Sequence, residues 1–320
     1  MKIILFKILS SIGVLNFLRK SKKNDLTVLS LHRISDENDF FFDPINPTLF
    51  EELVVYCLKH YSIITFKDIE KQTPKPKLIL SFDDGYYDFI EFAVPILMKY
   101  NVPCNHNLVN ACLHQKSIIW THKLNDIFGH LKRENITSDK FLSDFNAQFN
   151  GNWWAMYASV FQSMLKMKRD EREILLMNWQ ELHQIKSNVK MMSWEDAVDC
   201  HQKYNVEIGC HTYNHESLLS VTSHIDLENE IGKSIEELEN KIGCKVNVLA
   251  LPNGQHNDDV IKYVKHKNIK YTLLVDDKTT DLKNISDSGN LISRINLINE
   301  SKEEMLLRTE LFHAKLKQLK

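Results

Sequence analysis

The chain lacks most features that would assign it to a special class. Its six cysteines (Cys57, Cys104, Cys112, Cys200, Cys210, Cys244) are widely spread over 320 residues and contain no C-x-x-C pair. That spacing argues against a disulfide framework and for free thiols in a reducing compartment. An excess of one charge is also missing. Lys+Arg number 40 and Asp+Glu 42, a formal net charge of −2, so nothing indicates a nucleic-acid partner. No internal repeat or low-complexity linker divides the chain, and its length suits one large domain of barrel size or two modest ones. Apolar residues at 43% are enough for a large core.

A long hydrophobic run is absent as well. Residues 3–18 are apolar, but Lys7, Ser10, Ser11 and Asn16 interrupt them. A spanning helix needs about 20 apolar residues, and no small-residue cleavage site follows. Arg19, Lys20, Lys22 and Lys23 come next. Segment 1–23 therefore reads as an amphipathic helix, either lying on an anionic membrane surface through residues 3–23 or packed on its own domain. The expected location is the cytoplasm or the cytoplasmic face of a membrane.

What the sequence does have is alternation of strands and helices. Strands are predicted at 26–32, 61–66, 77–82, 102–110, 205–211, 246–252, 270–275 and, in L-I-S-R-I-N-L, 291–297, with helices at 46–60, 87–100, 225–242 and 257–266 between them. A last helix is predicted from Ser301 to the end, with Ser301 and Glu304 as a capping box. Such alternation predicts a parallel α/β sheet over residues 24–300, open or closed into a barrel. Residues 113–190 break the rhythm. They are helical in pattern and carry Trp153, Trp154, Trp179, Met156, Met164, Met167 and Met177. Most of these are expected to fill the core of a helical insertion, although aromatics over a site could also stack on sugars.

Two short patterns carry chemistry. The strand K-L-I-L-S-F ends in Asp83 and Asp84, followed by Gly85, which allows a sharp turn. A divalent cation would relieve the repulsion of the two carboxylates, with one binding it and the other staying close as a base. A D-D-G surface turn is the plainer alternative. His211 and His215 are four apart after a second strand. Two imidazoles and one carboxylate form a ligand set that leaves coordination positions open. Two surface histidines in a loop would look the same.

Taken together, S-F-D-D-G (81–85) and H-T-Y-N-H (211–215) resemble the polysaccharide deacetylases of carbohydrate esterase family 4. The resemblance runs from about 26 to 296 and is loosest over 113–190. The segments L-S-L-H-R-I-S, L-A-L-P-N-G-Q-H-N-D and L-I-S-R-I-N-L are similar to the exopolysaccharide de-N-acetylase branch. It implies a distorted (β/α) barrel with a helical insertion and its site at the strands' C-terminal ends. It implies Asp83 as general base and Asp84, His211 and His215 as ligands of a divalent metal, zinc first. It further implies the backbone N–H of Asn253, after Pro252, as oxyanion donor. His32, which ends the first strand, corresponds to the branch's histidine acid; a structural histidine is the plainer reading. The arginine that many members use to brace the aspartate is replaced by Ala250. Arg294 is the substitute, grouped with Pro252 and Asn253 as facing substrate or oxyanion, and a purely structural salt bridge is the alternative. The implied reaction removes N-acetyl groups from an amino sugar in a surface polysaccharide or its precursor. The alternatives are removal of another N-acyl group, such as formyl, from a lipid-linked amino sugar, or carbohydrate binding without turnover.

Overall fold

The computed structural model describes residues 14–20, 24–114, 118–219, 221, 223–285 and 289–313. Among the described residues, ten strands form one sheet: β1 (Asp25–Leu31), β2 (Ser62–Ile63), β3 (Lys77–Phe82), β4 (Cys104–Leu108), β5 (Val206–Cys210), β6 (Val248–Ala250), β7 (Tyr271–Leu273), β8 (Thr280–Asp281), β9 (Asn290–Ile292) and β10 (Ile295–Asn296). The main path is β10-β1-β3-β4-β5-β6-β7-β9, parallel throughout. β2 pairs with the start of β3, and β8 runs antiparallel to β1.

The two ends of this path, β9 and β10, are neighbours in the chain, separated only by Ser293 and Arg294. The sheet therefore curls into a nearly closed barrel. This corrects the reading of L-I-S-R-I-N-L as a single strand. It is two short strands on opposite sides of the seam, and the break between them lets Arg294 turn inward.

Parallel strands in a closed sheet are buried on both faces, and period-two alternation assigns each side chain to one of them. Leu26, Val28, Ile79, Val248, Ala250, Tyr271, Leu273 and Ile292 fill the lower barrel interior, with Ile64, Phe66 and Ile69 sealing the floor. Glu207 accepts hydrogen bonds there from the backbone N–H groups of Phe66 (2.6 Å) and Lys67 (3.2 Å). The alternate residues Leu29, Leu31, Leu78, Leu80 and Phe82 face outward onto the helices. One of these, Pro47–His60, starts where the Asn46 side chain accepts from Thr48 N–H, with Pro47 at its first turn.

The expected insertion consists of helices Trp120–Arg133, Lys140–Asp144, Trp153–Met164 and Arg169–Leu182. It has its own core, in which Trp120, Phe128, Phe141, Met156, Met164 and Trp179 are buried. Its return segment is pinned beside the Asp pair: Tyr87 N–H donates to Lys190 O and Met192 N–H to Gly85 O, both at 2.8 Å.

At the N-terminus, helix Val14–Lys20 packs on the domain. Leu15 and Leu18 are buried, and Arg19 Nε lies 3.1 Å from the buried Glu310 carboxylate. The apolar stretch 3–13 and the basic residues Lys22 and Lys23 lie outside the described residues. Among the described residues no helix is long and apolar enough to cross a membrane. The C-terminal helix is Lys302–Thr309 with Ser301 as its N-cap. It stops short of the expected span because Leu311 takes a positive φ of 63°, and residues 314–320 lie outside the described range.

Candidate active site

The sheet register aligns the C-terminal ends of the long strands on one rim. Leu31 pairs with Phe82, Leu108 with Cys210, and Ala250 with Leu273, which pairs with Ile292. The next residue or two on each strand are His32, Asp83 and Asp84, His211, Pro252 and Asn253, and Arg294. The fold thus gathers on one rim residues that span 262 positions in the chain.

Asp83 is 1% exposed and held from two sides. Arg294 Nη1 lies 2.9 Å from its Oδ1 and 2.8 Å from its Oδ2, and Asn107 Nδ2 donates to Oδ1 at 2.7 Å. Arg294 is itself fully buried, and its Nε donates to Leu274 O at 2.9 Å. Two of its nitrogens thus link the carboxylate to the barrel wall, at a place where Ala250 offers no charge. Burial works to raise the Asp83 pKa, but the charges of Arg294 and His211 and the Arg294 hydrogen bond outweigh it. The carboxylate is held well below its usual range.

Asn107 reaches Asp83 because of a glycine on the next strand. Asn107 and Gly209 are register partners, and a Cβ at Gly209 would lie 2.0 Å from Asn107 Oδ1. Asn107 also donates to Ser81 Oγ, and Ser81 to Asn105 Oδ1. A polar layer therefore sits above the apolar plug. The alternating asparagines of C-N-H-N-L are its signal in the sequence.

Asp84 turns the other way, at φ 77°. Its Oδ1 lies 3.4 Å from Nε2 of both His211 and His215. All three residues are buried, with one ligand atom from each within 4.8 Å of the others. Two observations fit a cation. Asp84 Oδ1 has no hydrogen-bond partner despite burial. His211 Nδ1 donates to Ala250 O at 2.8 Å, so its Nε2 lone pair points into the cluster. Burial pushes the His215 imidazole down to about 4, whereas the neighbouring carboxylates, outweighing burial, push His211 up. The backbone is strained to achieve this: Thr212 (φ 64°) and His215 (φ 58°) sit in the left-handed region with Asp84. Trp120 Nε1 donates to His215 O at 3.1 Å and holds the second imidazole's backbone.

A cavity of about 260 Å³ lies over this cluster. His32, Asp83, Asp84, His211, His215, Asn253 and Arg294 line it from the barrel, and Thr121, Asn125, Tyr157 and Phe161 from the insertion. Phe42 packs edge-on against His32 at 5.4 Å. The expected site residues thus share one cavity, except Pro252, which is buried behind Asn253 and shapes the turn. The insertion does reach the site, through Tyr157 and Phe161 and not through Trp153 or Trp179. The sequence alone did not single out those two, nor Asn107 and Trp120. Cys210 is a small buried residue, its thiol pushed up to about 11 by burial.

A family model described as polysaccharide deacetylase matches residues 179–272, the stretch holding His211, His215, Pro252 and Asn253. Poly-beta-1,6-N-acetyl-D-glucosamine N-deacetylase of Staphylococcus aureus (strain MRSA252) is 21% identical over 315 residues, covering 92% of this chain and 87% of that protein. Among solved structures, the Streptococcus pyogenes deacetylase PplD in complex with acetate superposes with TM-score 0.59 at 16% identity, covering 90% of this chain and 99% of the other. IcaB from Ammonifex degensii gives TM-score 0.57 at 14% identity, covering 90% and 98%. The Asp pair lies outside the matched stretch, and the barrel brings it to the histidines inside it. Over residues 179–272 the chain thus matches the polysaccharide deacetylase family.

Proposed function

We propose that the protein is a metal-dependent hydrolase that removes N-acetyl groups from amino sugars of a polysaccharide. The observation that carries this reading is the division of labour between adjacent carboxylates. Asp84 faces two imidazoles with an unsatisfied oxygen, while Asp83 is turned onto Arg294 and Asn107. Asp84, His211 and His215 would hold the cation, and when bound it supplies Lewis acidity toward the acyl oxygen and toward water. Two imidazoles and one carboxylate favour zinc.

The remaining steps belong to the chain. Asp83 is ionised at neutral pH and takes the proton of the attacking water. Arg294 and Asn107 hold its carboxylate in one orientation, so it serves as base without a competing rotamer. The backbone N–H of Asn253 donates to the oxyanion. A C–O bond forms and the C–N bond breaks. His32, in the wall of the same cavity, gives a proton to the leaving amine, and acetate and a free amino sugar result. Similarity over nearly the whole chain to a poly-beta-1,6-N-acetyl-D-glucosamine N-deacetylase supports N-acetylglucosamine polymers as the substrate class.

The test is release of acetate from N-acetylglucosamine oligomers by purified protein, zinc-loaded and metal-stripped, with N-formyl oligomers in parallel. Zinc-dependent acetate release is the expected result. Formate release without acetate would move the protein to deformylation, and release of neither by zinc-loaded protein would overturn the reading.

A further inference from the structure

A second cavity, of about 230 Å³, adjoins the first. The two share His32, Phe42 and Asn296 as lining residues, so they form one cleft with a waist at His32. Each alone is smaller than an ordinary ligand pocket, and together they reach that range.

Trp154 stands in the wall of this second cavity. It is 55% exposed, in a helical unit where Trp120 and Trp179 are 1% and 6% exposed and Trp153 is partly buried. Its neighbours hold it without covering it. Phe41 lies at 5.2 Å with 64° between planes and Tyr157 at 5.7 Å with 79°, both edge-to-face. Among the described residues no ring lies parallel on the indole. The cleft also offers polar groups. Asn299 Nδ2 donates to Asp43 Oδ2 at 2.7 Å, which fixes both, and Asn296 Oδ1, at the waist, is buried without a partner.

We infer that this second cavity is a sugar subsite in which Trp154 stacks on the ring adjoining the one being deacetylated. A pyranose has an apolar face and a rim of hydroxyls. The cleft supplies the matching pair, an open aromatic plane and an amide and carboxylate cluster. A lipid chain would need apolar walls on every side, and this cleft does not provide them. The subsite rests on the deacetylase reading for the identity of its ligand, and it makes the enzyme one that measures chain length. A monosaccharide fills only the first cavity, whereas a disaccharide or longer chain fills both.

The experiment compares wild type, Trp154→Ala and Trp154→Phe on β-1,6-linked N-acetylglucosamine oligomers of one to five units. Acetate release is followed for each, oligomer affinity is measured by calorimetry, and thermal melts confirm folding. In wild type, kcat/KM is expected to rise from monomer to oligomer. Trp154→Ala should lose about tenfold on oligomers, mainly through KM, with the monomer rate unchanged, and Trp154→Phe should recover part of the loss. Equal loss on monomer and oligomer would reduce Trp154 to structural support and overturn the subsite. So would oligomer affinity that ignores the substitution, or no oligomer binding by wild type. Trp154-dependent binding without acetate release from any oligomer would leave the subsite standing and remove the deacetylase reading. Acetate release from every oligomer, indifferent to Trp154, would do the reverse.

Discussion

Arg294 and Asp83, 211 positions apart, meet at 2.8 Å across the seam of the barrel, both buried. Neither charge has another strong counter-charge at that distance among the described residues, and removing one leaves the other buried. Breaking such a pair typically costs about 3–5 kcal/mol. Arg294→Ala is expected to lose stability on that scale in urea denaturation and to lose acetate release about 100-fold or more. Metal content should be unchanged, because Arg294 touches no ligand. Arg294→Lys should recover only part, since a single ammonium cannot serve both Leu274 O and the carboxylate. An Arg294→Ala protein with wild-type turnover would remove Arg294 from the site.

The adjacent aspartates should separate by experiment. Asp83→Asn is expected to retain its zinc and to lose activity by about 10²–10⁴-fold, the usual contribution of a positioned base. Asp84→Asn and His211→Ala should lose zinc and activity together. Elemental analysis beside acetate release reads both. If Asp83→Asn comes out stripped of metal, the two carboxylates have been assigned in reverse order.

His32 lines the waist of the cleft and touches none of the three ligands by hydrogen bond. His32→Ala is expected to keep its zinc, to lose most of kcat on N-acetyl substrates and to lose the alkaline limb of the pH–rate profile. It should be less impaired on an acetyl ester, whose leaving group needs less protonation. Equal loss on ester and amide would make His32 a structural residue.

Glu207 gives a pH test remote from the site. Burial, opposed by hydrogen bonds from Phe66 and Lys67, pushes it up from 4.5 to about 7. The folded state therefore binds this proton more tightly than the unfolded chain. Its stabilising contribution is fully present below about pH 4.5 and is lost as pH rises through about 7. Glu207→Gln removes the titration. The stability of the Gln protein relative to wild type should grow by about 1–3 kcal/mol between pH 4.5 and 8, after allowance for partial exposure. Parallel stability curves for the two proteins would contradict the burial argument.

Much of this was legible in the sequence, for definable reasons. Strand β3 reads directly because K-L-I-L-S-F is apolar on both faces, and Asp83–Asp84 marks its end by the abrupt change. His211 and His215 read by spacing. What could not be read depends on the far side of the barrel. Leu291, Ile292 and Ile295 continue one apolar pattern, and only closure of the sheet splits them and turns Arg294 inward. Asn107 gains its role from the missing side chain of Gly209, a partner visible only once strand register is known. Tyr157 and Phe161 lie in the same helical stripe as buried Val160 and Met164, and periodicity cannot say which members of such a stripe overhang a cleft.

The seam at Ser293–Arg294 also orders events in time. Asp83, Asp84, His211 and His215 have all been made once the chain has reached His215, but His211 Nδ1 is oriented by Ala250 O, further on. Asp83 meets Arg294 only when the last strands dock, so a chain cut before residue 294 would leave that buried carboxylate without its counter-charge. The pairing of these two charges is therefore a marker of completed barrel closure.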